Sequence, residues 1–132
     1  MVQAIKMQHK IDPKAEMMAE VGADLKGLRL FHNQILVGIY ERPETTAGGI
    51  ILPGQTRKED QYQGKVGLVL AKGPLAFVDD ARNEFHGQNV EVGDWIAFRA
   101  SDGWQLTIGK KLCRMLQDLD IKIQADTPDT VF

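Results

Sequence analysis

Glu41–Gln63 reads ERPETTAGGIILPGQTRKEDQYQ, a long polar stretch whose one compact apolar patch is Ile50-Ile51-Leu52. Gly48-Gly49 stands immediately before the patch and Pro53-Gly54 immediately after it, so the chain is free to turn on both sides. A polar loop of this length inside a small domain is usually functional or disordered. Three adjacent aliphatic side chains on such a loop have no core of their own to reach. They are suited to entering the surface of another molecule.

The flanks of this stretch set the fold class. On its N-terminal side, Gln34–Tyr40 places Ile35, Val37 and Ile39 on one face at a period of two, the pattern of a half-buried strand. On its C-terminal side, Gly64–Leu70 does the same with Val66, Leu68 and Leu70, and Lys72-Gly73-Pro74 ends that strand. Further N-terminal, Leu28 and Leu30 already alternate with Arg29. Before them Asp12-Pro13 forms a helix start, with the cap residue followed by proline at the first helical position. A short helix is expected from Lys14 to Val21, stopped at Gly22, with Met17, Met18 and Val21 on one side.

Beyond the second strand, Pro74–Asn89 is another excursion, with Phe77, Val78 and Phe85 around an Asp79–Asn83 turn, and it has the make-up of a hairpin. Trp95–Arg99, Gln105–Ile108 and Leu112–Leu116 follow as short strands, separated by Ser101-Asp102-Gly103 and Gly109-Lys110-Lys111. Leu119, Ile121 and Ile123 alternate with polar residues and suggest a last strand. Many short strands punctuated by turns point to an all-β barrel or sandwich.

At 132 residues the chain is expected to be one domain, and 43% hydrophobic with 26% charged residues is ordinary for a soluble protein. A net charge of −2 argues against nucleic acid or an anionic membrane as the general partner. The single cysteine, Cys113, fits a reducing compartment, and no run of membrane-spanning length or secretory signal is visible, so a cytoplasmic location is expected. His9, His32 and His86 lack ligand spacing, and no phosphate-binding or nucleophile motif occurs, so no metal, cofactor or catalytic residue is expected. Cys113 reads as a buried structural thiol. Asp79, Asp80, Asp118 and Asp120 read as solvated turn residues. The protein is read as a binding protein and not an enzyme.

Taken in order, the G-G-I-I-L loop, the G-K-V strand, the K-G-P turn, V-x-V-G-D-W-I-x-F and S-D-G-W resemble the small co-chaperonin family, the GroES type that caps the large barrel chaperonin. The resemblance runs from about Phe31 to about Ile123. It implies an irregular antiparallel GroES-like β-barrel over residues 31–124, with a mobile loop at 41–63 and a roof hairpin at 74–89. Residues 1–30 are then an N-terminal extension with a short helix, and 125–132 a tail. It further implies a seven-membered ring whose terminal strands pair between neighbouring subunits. Gly48, Gly49, Ile50, Ile51 and Leu52 would form the contact with a nucleotide-bound GroEL-type chaperonin. The two extensions, and the charged run Arg57-Lys58-Glu59-Asp60, depart from the family pattern and suggest a divergent member, of the kind a tailed bacteriophage or prophage could carry. That leaves a second reading, a phage head decoration or cement protein that uses the same barrel to contact capsid proteins in the virion.

Overall fold

A computed structural model of the chain describes residues 12–41, 51 and 65–128. Helix α1 spans Pro13–Leu25. Its start follows the expected chemistry: Asp12 Oδ1 accepts from the Lys14 N–H at 3.4 Å, and Pro13 needs no partner for a missing donor. Its end does not. The helix runs through Gly22 for another three residues and stops before Gly27. Packing explains the extra turn: Met17 and Val21 are buried and Leu25 continues their stripe, which outweighs the roughly 1 kcal/mol that an interior glycine costs.

Among the described residues six antiparallel strands form one sheet: β1 Gln34–Ile39, β2 Val66–Lys72, β3 Trp95–Ala97, β4 Trp104–Ile108, β5 Lys111–Gln117 and β6 Ile123–Ala125. Their order is β4-β5-β1-β2-β3-β6. Among the described residues the fold is all-β with one helix added, as expected, and its irregular barrel is left open, because the edge strands β4 and β6 do not pair. The sheet curls instead. Arg114 on β5 sits 5.6 Å from the Phe98 ring, just past β3, although two strands separate β5 from β3 in the sheet. Arg114 Nη1 also donates to the carbonyls of Ala100 and Asp102, the latter at 3.1 Å. A side chain thus spans a gap that backbone pairing would close in a barrel.

Burial divides into two clusters, one on each face. Ile35, Val37, Ile39, Val69, Ile96, Phe98 and Leu116 fill the concave side. Leu36, Tyr40, Val66, Leu68, Leu70 and Cys113 lie on the other side with Met17 and Val21 of α1. The expected half-buried strand is therefore buried on both faces, because the helix covers what would have been its solvent side. The register supports this assignment. A bulge between Leu36 and Val37 pairs Leu36 with Ala71 and Val37 with Val69, leaving Leu70 as the extra residue of β2.

Three further expectations are corrected. Leu28–Leu30 is not a strand; Phe31–Asn33 turns, with the Gln34 N–H on Phe31 O at 3.3 Å, and pairing begins only at Gln34. Residues 118–120 form a single 3-10 turn before β6, held by Gln117 and Asp120 capping each other. The last strand thus starts at Ile123, and Leu119 is left half exposed. Pro74–Asn89 contains no strand. It is a series of turns in which Asp80 Oδ1 accepts from the N–H groups of Arg82 and Asn83, and Asp79 Oδ1 from that of Phe85 at 2.7 Å. Backbone N–H groups aimed at one carboxylate are easier to satisfy than a cross-strand ladder in so polar a segment.

Candidate functional site

The polar stretch leaves the sheet at Glu41, after β1, and returns at Lys65, before β2. These two strands are neighbours, and their pairing continues to the last residue: the Tyr40 N–H donates to Val66 O at 2.9 Å. Lys65 is held from the other side, its carbonyl accepting from the Phe98 N–H at 2.9 Å. Both ends of the loop are consequently pinned about 5 Å apart, the spacing of paired strands. Beneath this root, the Tyr40 and Trp95 rings meet edge to face, 5.6 Å apart and inclined at 76°. Such pairs contribute on the order of 1 kcal/mol beyond their burial.

Of the five residues expected to make the partner contact, only Ile51 is among the described residues. Its backbone makes an isolated β-bridge and its side chain is 68% exposed. Gly48, Gly49, Ile50 and Leu52 lie outside the described residues. The root residues Tyr40, Val66 and Trp95 are part of the same construction, and nothing in their sequence pattern marked them as more than core.

A second concave feature lies at the opposite end of β1. It is a cleft of about 200 Å³ lined by His32, Asn33, Leu75, Val78, Phe85 and Asp118, among others. Asp118 corrects an expectation: it is 4% exposed, not a solvated turn residue. Asn33 Nδ2 donates to its Oδ1 and the Phe77 N–H to its Oδ2, both at 3.1 Å. The carboxylate thereby ties the start of β1 to the 74–89 segment and to the end of β5. Two residues at these junctions, His32 at φ 56° and Phe77 at φ 61°, hold left-handed backbone without being glycine. Asp120 does behave as a turn residue, accepting from the Gln117 N–H at 2.9 Å.

The remaining candidates fall into structural roles. Cys113 is wholly buried, and burial pushes its thiol up to about 11, the wrong direction for a nucleophile. His86 faces Glu84 at 3.9 Å on the surface. Among the described residues no three His, Cys, Asp or Glu side chains come close enough to hold a metal ion. Asp118, already engaged twice, is the chief charged group at the cleft's buried edge, and the rim residues Leu75 and Val78 are exposed and apolar.

The described residues form a curled antiparallel sheet whose neighbouring strands β1 and β2 pin both ends of the 41–65 stretch. Comparison with known proteins places the chain. The chaperonin 10 kDa subunit family matches residues 27–124, and the chain belongs to that family. It is 32% identical over 90 residues to the co-chaperonin GroES of Pelagibacter ubique, covering 68% of this chain and 88% of that protein. With co-chaperonin GroES 1 of Rhodopirellula baltica it shares 32% identity over 95 residues, 71% of this chain and 87% of the relative. The family region begins at Gly27, so α1 lies outside it.

Proposed function

We propose that the chain is a co-chaperonin subunit that closes a GroEL-type chaperonin by inserting Ile50, Ile51 and Leu52 into an apolar groove on it, with several copies, seven by family resemblance, held in a ring. The observation that carries this reading is the Ile51 side chain, 68% exposed on a segment whose two ends are fixed in paired strands. The GroES relatives support the same role. The work is binding, with no bond made or broken by this chain.

The energetics favour a ring. Burying three aliphatic side chains gives on the order of 1.5–3 kcal/mol each. Ordering the loop takes back roughly 2–5 kcal/mol. A single loop is left with roughly 3 kcal/mol at the middle of these ranges, about millimolar affinity or weaker. Several loops on one frame act at high effective concentration, so the ring binds tightly while each contact stays weak enough to release.

Capture on an immobilised GroEL-type chaperonin, with and without ATP, tests the proposal. The wild-type chain should be retained with nucleotide and released without it. Ile51→Asp should lose capture while keeping the wild-type circular dichroism spectrum. A wild-type chain that is retained under neither condition overturns the reading.

A further inference from the structure

Helix α1 is not part of the family region, yet it is packed where the loop begins. Two of its contacts, at Gly38 and at the β4–β5 turn, lie at the loop-bearing end of the sheet. A Cβ added at Gly38, two residues before the loop root, would collide with Met17 Sδ and stand 3.2 Å from Leu70 Cδ1. Gly38 is therefore the gap that lets Met17 lie directly on β1, on the same face as Leu36 and Tyr40. Gly38 pairs with Cys113, and the strand that carries Cys113 begins just after the β4–β5 turn at Gly109. That turn touches the other end of the helix: a Cβ at Gly109 would be 2.5 Å from Asp24 Oδ2 and 3.7 Å from Glu20 O. Met17, Val21, Tyr40, Val66, Trp95, Ile108 and Cys113 all belong to one buried cluster.

We propose that α1 is a brace for the loop root. Met17 and Val21 act as positioning residues through Tyr40 and Val66, so that docking of the helix sets how rigidly the loop is presented. The proposal rests on the co-chaperonin reading for its consequence, but not for its geometry. A short helix with an interior glycine and no basic residue in its last turn is marginal alone and is held by this packing. Because coupling is reciprocal, seating the loop in a partner should also tighten α1 over Cys113.

Two measurements separate a brace from general stabilisation. The first is amide exchange at the root bond, Tyr40 N–H to Val66 O, compared with a bond at the far end of the same strand pair, Gly73 N–H to Gln34 O at 2.7 Å. In Val21→Asp or the milder Met17→Ala, exchange at Tyr40 should rise about tenfold or more, with Gly73 nearly unchanged. Met17→Leu, which conserves volume, should restore slow exchange at Tyr40. Equal acceleration at both ends overturns the brace. The second is ATP-dependent chaperonin capture, which should weaken about tenfold in the same variants and should slow maleimide labelling of wild-type Cys113. Unchanged capture by a variant whose Tyr40 amide is loosened overturns the link to function. If the wild-type chain is never captured, the co-chaperonin reading fails, while the exchange comparison still decides the brace.

Discussion

Removing the Asp118 carboxylate is the sharpest test of how this fold is fastened. In Asp118→Ala, Asn33 Nδ2 and the Phe77 N–H both lose their acceptor in a part-buried setting. Each unsatisfied donor costs about 1–3 kcal/mol. Water in the adjoining cleft can reach part of the vacated space, and the cost of burying the carboxylate itself is removed, so a total of about 2–4 kcal/mol is expected. Asp118→Asn keeps the shape and one acceptor oxygen but turns a donor toward the second partner, and should cost about half as much. Urea unfolding at fixed protein concentration measures both, since association between subunits would otherwise move the midpoint. The order Ala, then Asn, then wild type is required. If both variants lie within about 0.5 kcal/mol of wild type, Asp118 is not the fastening point described here.

Other outcomes follow from the same structure. Cys113 should react with maleimide at pH 8 only slowly in the folded chain, through rare openings, and fully once unfolded. Its folded value of about 11 lies above that of an unfolded thiol, so its contribution is complete below the unfolded value and is lost as pH rises toward 11. Urea midpoints should therefore fall across that alkaline range in wild type, and Cys113→Ala should flatten the fall. Arg114→Met should cost only about 1 kcal/mol or less: the apolar stem stays, and a buried guanidinium whose Nε has no partner is removed. Arg114→Ala should cost clearly more by urea titration. Equal costs would mean that the bonds to Ala100 and Asp102 outweigh the packing. Deleting residues 1–26 should bare Leu36, Leu68, Leu70 and Cys113 and give strong binding of a hydrophobic dye. A shortened chain that binds no dye would show that the sheet face needs no cover.

The strands of the fold were legible because they follow simple alternation. Ile35-Val37-Ile39 and Val66-Leu68-Leu70 identified β1 and β2, and Asp12-Pro13 identified the start of α1. The reading failed where several local signals compete. Gly22 looked like a stop, but Val21 and Leu25 gain more by continuing the helix onto the sheet. Leu119-Ile121-Ile123 alternates like a strand, yet Gln117 and Asp120 cap a turn there first. From the sequence Asp118 looks like a solvated turn residue because its partners, Asn33 and Phe77, come from distant parts of the chain, and no local pattern announces such a meeting. The apolar island Ile50-Ile51-Leu52 was visible in polar sequence, although of it only Ile51 is among the described residues. The loop root was not visible, because Tyr40 and Trp95 look like any other core aromatics.

One signal for the missing layer was nevertheless present. In Ile35-Leu36-Val37-Gly38-Ile39-Tyr40 the residues between the expected inward positions are Leu36, Gly38 and Tyr40, none of them charged. A strand with one wet face puts polar side chains at those places; a strand covered on both sides does not. Val66–Leu70 repeats the pattern, with Gly67 and Val69 between Val66, Leu68 and Leu70. Two adjacent strands without a polar face demand a second cover, and the helical stretch with Met17 and Val21 supplies it. The dependence runs both ways, since α1 is too short to persist without that face. Helix and sheet face are thus one unit. The loop springs from the edge of that unit, so its presentation depends on residues the loop itself does not contain.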